Sequence, residues 1–285
     1  MPTFEIVDSH VHYIDPLQFS YQWLARSPAL NKRWLPDEFT QAQGNVNVGK
    51  IVFVEAWPDP GQGVSEARFV AALAAEDQRI GGLVANVQVN NIDELCTSLE
   101  AFGEISGVRA VRHLIEGSVD PSFCLEPDFA EGVQRVGAAD LVFDICVKNW
   151  GLPFVTELVR QSPDTVFVLD HIGKPAIRHG LREPWWSEIA RLAKHPNVFC
   201  KISGVITEAD HESWTVEQIR PFIEHTIDCF GMERVMFGSD WPVSELTHRY
   251  QDWVEILDEI LVSASEDELR RFYRATATSV YNLSE

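Results

Sequence analysis

Basic residues are scarce in this chain. Against 43 aspartates and glutamates stand 23 lysines and arginines, a formal net charge of −20 at pH 7 across 285 residues. A field of that sign repels phosphate backbones and anionic lipid, which excludes nucleic acid and membrane surfaces as expected partners. Cysteine is thin as well. Cys96, Cys124, Cys146, Cys200 and Cys229 are odd in number, scattered, and never spaced as C-x-x-C. That pattern argues against a disulfide framework and a zinc–thiolate site, and it predicts reduced thiols in a cytoplasmic protein. No apolar run approaches the roughly 18 residues of a membrane span. The opening Met1-Pro2-Thr3 has no basic region, so no signal peptide is expected.

Several common catalytic and phosphate-binding motifs are missing too. There is no G-x-S-x-G, which disfavours a nucleophile-elbow serine hydrolase. Gly44–Lys50 has the glycine spacing of a phosphate loop, but it lacks the following Ser or Thr and precedes a strand. Gly61-Gln62-Gly63 lacks the third glycine of a dinucleotide fingerprint.

What is present is one unit, repeated. Eight short, apolar, β-branched runs recur: Phe4–Asp8, Ile51–Glu55, Leu83–Val87, Val108–His113, Leu141–Cys146, Val166–His171, Val198–Ser203 and Val235–Asp240. Such runs are what a parallel sheet buried on both faces requires. Helical periodicity falls between them at Ser65–Arg79, Leu152–Gln161, Trp185–Lys194 and Thr215–Cys229. Ser265-Glu266-Asp267-Glu268 reads as a capping box opening a last helix that runs to about Tyr281. The pattern predicts an α/β fold: a single (β/α)8 TIM barrel filling residues 1–285, with an open doubly wound sheet as the alternative. The first two strands are separated by residues 13–47, an aromatic stretch carrying Tyr13, Phe19, Tyr21, Trp23, Trp34 and Phe39. A loop of that length and composition reads as a folded flap over the barrel mouth.

Barrels of this class carry chemistry at the C-terminal ends of their strands. The first run ends in His10 and His12. The i, i+2 spacing puts both imidazoles on one face, with Asp8 behind them. Glu55 ends the second run, His113 the fourth, Asp170-His171 the sixth, Lys201-Ile202-Ser203 the seventh and Ser239-Asp240 the eighth. Arg109 shares strand parity with His113 and is expected to point inward, two residues deeper. Imidazoles and carboxylates gathered at one rim can hold a divalent ion or move protons. The expected catalytic residues are Asp240, His171, His10 and His12. Expected substrate contacts are His113, Glu55, Trp23, Lys201 and Trp241, with structural roles as the alternatives for Glu55 (ordering the flap) and Lys201 (pairing with a carboxylate). A bound ion, one divalent metal such as Zn²⁺, would take His10, His12 and Asp240; otherwise no cofactor is expected.

At these residues the sequence resembles the amidohydrolase superfamily, in its sugar-lactonase branch of L-fuconolactonase and L-rhamnonolactonase type. The motifs are Val7-Asp8-Ser9-His10-Val11-His12, Tyr21-Gln22-Trp23-Leu24 with Trp34-Leu35-Pro36, and Gly107-Val108-Arg109. Leu169-Asp170-His171-Ile172-Gly173-Lys174-Pro175, Cys200-Lys201-Ile202-Ser203-Gly204 and Met236-Phe237-Gly238-Ser239-Asp240-Trp241-Pro242 complete the set. The resemblance implies a barrel that opens lactones, with His10, His12, His171 and Asp240 at the family's active-site positions. No histidine ends the fifth strand and no lysine sits at the tip of the fourth, so a second metal would lack ligands. Glu55 stands where this branch usually has glutamine, which bears on the substrate. The expected partner is a small lactone. Oligomeric state is left open, a homo-oligomer included. Two rival functions are zinc-dependent non-oxidative decarboxylation of an unsaturated or aromatic acid, and a non-enzymatic binding module on a barrel scaffold.

Overall fold

A computed structural model, which describes residues 2–284, arranges the eight apolar runs as eight parallel strands hydrogen-bonded in chain order. They are β1 (Ile6–Val11), β2 (Val48–Val54), β3 (Ile80–Asn86), β4 (Val108–Arg112), β5 (Val142–Ile145), β6 (Phe167–Leu169), β7 (Val198–Ile202) and β8 (Val235–Phe237). The sheet curls back on itself. Asp240 N donates to the His10 carbonyl at 2.9 Å, and His12 N donates to the Trp241 carbonyl at 2.7 Å. The fold is therefore a (β/α)8 barrel, and the open doubly wound alternative fails on strand order alone.

Helices α1 (Pro36–Gln43), α2 (Gly63–Glu76), α3 (Ile92–Gly103), α4 (Pro127–Ala138), α5 (Leu152–Gln161), α6 (Trp185–Leu192), α7 (Val216–Phe230) and α8 (Tyr250–Ile260) surround the sheet. None of the described helices is long and apolar enough to cross a membrane. Most start where a cap or a proline sits: Thr215 and Gln218 close a capping box at α7, and prolines open α1 and α4. The Ser265–Glu268 box forms as expected, but the helix it opens is short. α9 (Glu266–Arg270) passes through a π turn over Arg271–Ala275 into α10 (Thr276–Val280).

The strands alternate between two apolar clusters. Val52, Val54, Val84, Ala110, Val142 and Met236 fill the lumen, and Tyr281 and Leu283 from the C-terminal segment pack beneath them. Phe53, Leu83, Val111, Phe143, Phe167 and Phe237 pack outward against the helices. Each fully buried side chain of this kind contributes about 1.5–3 kcal/mol.

β1 breaks the alternation. Asp8 pairs with Ile51 and Val11 with Phe53, so three steps along β1 match two along β2. This bulge keeps Val7 in the lumen and turns His10 and His12 inward. Asp8, expected behind the histidines, instead faces the helix layer, where its Oδ2 accepts from Tyr250 Oη at 2.9 Å.

The stretch from 13 to 47 is folded, with 3-10 turns at Gln22–Arg26 and Pro28–Leu30 ahead of α1. An Ile14–Trp34 bridge pins its ends together. Of its aromatics, Trp34 and Phe39 pack edge-on against Trp241, and Trp23 reaches the catalytic cavity.

Candidate active site

Three nitrogens and one oxygen meet at the C-terminal rim. His10 Nε2 and His12 Nε2 are 3.2 Å apart. Asp240 Oδ1 lies 3.4 Å from His12 Nε2, 3.7 Å from His10 Nε2 and 3.9 Å from His171 Nε2. The tautomers follow from the partners on the other side of each ring. His12 Nδ1 lies 2.8 Å from the Val54 carbonyl, which can only accept, so the proton sits there and Nε2 presents a lone pair. His10 Nδ1 lies 3.2 Å from Asp170 Oδ1 and 3.3 Å from Lys201 Nζ; the tautomer with its proton toward the Asp170 carboxylate likewise presents Nε2 as a lone pair.

Two lone pairs and a carboxylate oxygen thus point at one another inside a buried site. That arrangement calls for a cation at its centre. A tetrahedral zinc with bonds of about 2.0–2.2 Å holds its ligand atoms about 3.3–3.5 Å apart. The observed edges of 3.2, 3.4 and 3.7 Å fit that triangle, so His10, His12 and Asp240 suit one divalent ion. A second grouping, His10 with Asp170 and His171, is weaker, because Asp170 is already bound by two cations.

Beneath the histidines runs a buried ionic belt. Lys201 Nζ reaches Asp144 at 2.5 Å, Asp170 at 3.0 Å and His10 Nδ1 at 3.3 Å. Arg112 continues it, donating from Nη1 to Asp170 at 3.0 Å and from Nε to Glu55 at 2.6 Å. The result is a fixed floor that orients the His10 ring. Burial opposes the Asp170 carboxylate, but Lys201, His10 and Arg112 outweigh it and hold its carboxyl well below the ordinary range. Burial also opposes the Asp240 carboxylate; the facing His171 outweighs it and holds the carboxyl below the usual value.

The chain reaches this geometry through strained backbone. β6 ends at Leu169, two residues before the expected His171, because His171 (φ 53°), Ile172 (φ 49°), Gly173 (φ 70°) and Lys174 (φ 47°) all adopt left-handed conformations. Asp240 does the same at φ 61°, beyond the end of β8. Such residues cost on the order of 1–3 kcal/mol each and persist where surrounding contacts over-determine them. Here Trp185 Nε1 donates to the Ile172 carbonyl at 2.7 Å, and Asn149 Nδ2 to the Lys174 carbonyl at 3.1 Å. Gly204 (φ 55°) closes the other side. A Cβ there would lie 2.6 Å from His171 Nδ1 and 2.8 Å from Asp240 Oδ2.

The rim encloses a cavity of about 200 Å³, lined by His12, His171 and Asp240 together with Trp23, Ala56, Trp57, Arg112, Leu114, Glu116, Cys146, Lys174 and Val243. Trp23, an expected contact, is placed here and donates its indole proton to the Ala56 carbonyl at 2.9 Å. Four other expected contacts are not. His113 lies on the opposite strand parity: Ala110 and Arg112 face the lumen, while His113 packs on Phe123 and Phe129 and accepts from Val89 N at 3.2 Å. Arg109 does not share that outward parity: a register shift in β4, where Leu83 pairs with Val108 and Val84 with Ala110, leaves its side chain beside Gly82, near Val52 and Leu283, deep in the lumen as expected. Glu55 is wholly committed, with Oε1 on Arg112 and Oε2 accepting from Trp57 N and Asn86 Nδ2. Lys201 is sealed in the floor, the structural alternative of the sequence reading. Trp241 is fully buried against Tyr13, Trp34 and Phe39.

Sequence reasoning passed over Asp170, Arg112, Glu116, Lys174 and Gly204. Asp170 and Lys174 flank His171 in one short motif, a signal that was available. Cys146 lines the cavity and donates to Glu116 Oε2 at 3.2 Å. Burial pushes its thiol well up, which disfavours the nucleophilic thiolate.

An eight-stranded barrel with one histidine in β1, one just past it, one after β6 and an aspartate after β8 defines a class: α/β barrels that gather their site residues at the C-terminal rim of the sheet. Residues 7–283 match the Amidohydrolase family, and the chain belongs to it. It is similar to an L-fucono-1,5-lactonase of Burkholderia multivorans, 29% identical, with 98% of this chain and 96% of that one aligned. A crystal structure of a Burkholderia multivorans amidohydrolase with HEPES bound superposes with a TM-score of 0.89 at 29% identity, over 99% of this chain and 100% of that one. A second crystal structure of a Burkholderia multivorans amidohydrolase, with zinc bound, gives 0.87 at 29% identity and the same coverage.

Proposed function

We propose that this protein hydrolyses a sugar-derived lactone by attack of water on the ring carbonyl, with Asp240 as proton acceptor. The observation that carries the reading is the convergence of His10, His12, His171 and Asp240 on one buried point beside a small cavity. The similar lactonase supports the choice of bond.

His10, His12 and Asp240 would hold one divalent ion, and such an ion supplies a Lewis acid that polarises a carbonyl and lowers the pKa of water. The chain's own residues do the rest. Asp240 takes a proton from the attacking water and returns it to the departing ring oxygen, so ring opening needs no other acid. Asp170 fixes the His10 tautomer, and the belt of Lys201 and Arg112 fixes Asp170. His171, with Ser203 Oγ at 2.9 Å from its Nδ1, stands beside the reacting carbonyl and orients it. Trp23, Trp57, Leu114 and Val243 present apolar surface that limits competing water.

Non-oxidative decarboxylation by similar barrels takes a bound metal and, as a rule, a cationic side chain that anchors the substrate's carboxylate. Among the described residues lining the cavity, both cations are already paired: Arg112 with Glu55 and Asp170, and Lys174 with Glu116. A pH-indicator screen of aldonolactones, with and without chelator, tests the proposal. Acid release that the chelator suppresses is expected. Zinc-loaded protein that opens no lactone in the panel would overturn it.

A further inference from the structure

Seven non-glycine residues among those described have left-handed backbone, and four of them line the catalytic cavity: Trp57, His171, Lys174 and Asp240. His171 and Asp240 have roles above. The strain at Trp57 and Lys174 is maintained for something else.

Lys174 Nζ donates to Glu116 Oε2 at 2.5 Å, and Glu116 Oε1 meets Lys148 Nζ at 3.1 Å. Lys148 is held in turn by Glu208 at 3.1 Å. Burial opposes the charge on Lys174, but Glu116, in direct contact, and Glu208 outweigh it and keep the ammonium protonated. The cavity wall therefore carries a hydrogen-bond donor and an acceptor side by side, with no net charge. Trp57 flanks them. Its amide is clamped by Glu55 Oε2 at 2.8 Å, and it stays 46% exposed at the rim. Its ring lies over Gly117, beside Glu116; a Cβ on that glycine would sit 3.2 Å from the indole. Loops after β2, β4 and β6 thus bring an aromatic face, a carboxylate and an ammonium to one place.

We propose that Glu116 and Lys174 read the ring hydroxyls of a neutral, polyhydroxylated lactone whose C–H face rests on Trp57. A sugar ring offers this combination: hydroxyls that both give and take hydrogen bonds, and an apolar face. A carboxylate- or sulfonate-bearing lactone is disfavoured, because the wall's cation is already neutralised. The inference rests on the lactonase reading and adds which residues select the substrate.

The test compares Glu116→Gln and Lys174→Met on a 1,5-aldonolactone and on the unsubstituted six-membered lactone. The loss in kcat/KM on the hydroxylated ring should exceed the loss on the bare ring by about tenfold or more, carried mainly by KM. Glu116→Gln, which frees Lys174, should also raise turnover of a carboxylate-bearing lactone relative to the neutral one. If either single variant misfolds, Glu116→Gln/Lys174→Met leaves neither of the two charges without its mate and gives the same comparison. Equal losses on both rings, or none, overturn the assignment while the lactonase reading stands. A wild-type protein that opens neither ring overturns the lactonase reading, and this assignment with it.

Discussion

His10 and His12 hold their Nε2 atoms 3.2 Å apart, and each ring has an acceptor at its Nδ1, Asp170 Oδ1 for His10 and the Val54 carbonyl for His12. Both lone pairs and Asp240 Oδ1 then face one point. Purified protein dialysed against zinc should retain about one ion per chain, read by elemental analysis, with a rise in Tm on loading. His12→Asn, which removes a ligand, should weaken binding beyond the roughly 10–100-fold typical of losing a supporting partner.

Asp170 supports His10 without lining the cavity. Asp170→Asn should weaken metal binding by about 10–100-fold, measured by competition with a chromophoric chelator. It also strips Arg112 and Lys201 of a shared carboxylate. A stability loss of about 3–5 kcal/mol in urea unfolding is expected, since buried charges are left poorly paired. Lys201→Met should be similarly destabilised, while KM for the lactone stays close to wild type, because Lys201 touches the floor and not the substrate.

Gly204 fits where no side chain can. Gly204→Ala would place a methyl 2.6 Å from His171 Nδ1 and 2.8 Å from Asp240 Oδ2, on backbone at φ 55°. The expected result is a cost of about 1–3 kcal/mol in stability. Activity should fall further than that cost explains, because both displaced groups belong to the site. Gly103→Ala, at a helix end where a Cβ meets nothing within 4 Å, is the comparison.

His113 gives a prediction in pH. Burial pushes its imidazole down to about 4. The unfolded chain protonates it near 6.5, so the unfolded state binds the extra proton as the pH falls below that value. Wild type should lose about 3 kcal/mol from this residue between pH 6.5 and 4, with no further loss from it below that. His113→Phe keeps the aromatic packing on Phe123 and Phe129 but leaves the Val89 amide unpaired, costing about 1–3 kcal/mol at pH 7. The gap between the two proteins, measured by urea unfolding, should narrow as the pH drops to 4.

The barrel was legible because its strands are apolar on both faces and recur eight times. α5 was readable to the residue, since Leu152–Gln161 is bounded by its own proline and serine signals. The strand ends were not. His171 and Asp240 lie beyond β6 and β8 in left-handed backbone, and nothing in a run of apolar residues announces where extended geometry stops. Parity was half legible: Arg109 lies deep in the lumen as expected, but the register shift beside it leaves no mark in the sequence, and beyond it the inward positions are Ala110 and Arg112 while His113 faces outward. Glu55, Lys201 and Trp241 were placed near the site and are near it. Their partners come from strands and loops distant in the chain, and no local pattern shows that those partners consume every donor and acceptor they have.

The measurement that bears most directly on the proposed chemistry is the turnover of Asp240→Asn on the best aldonolactone, with metal content determined on the same sample. Asparagine keeps the size of the side chain and removes the proton acceptor. A fall of about 10²–10⁴-fold in kcat, compared at equal zinc occupancy because Asp240 is also a proposed ligand, is the expected result. Turnover within a few-fold of wild type would contradict the assignment of Asp240 as the base and the hydrolysis built on it.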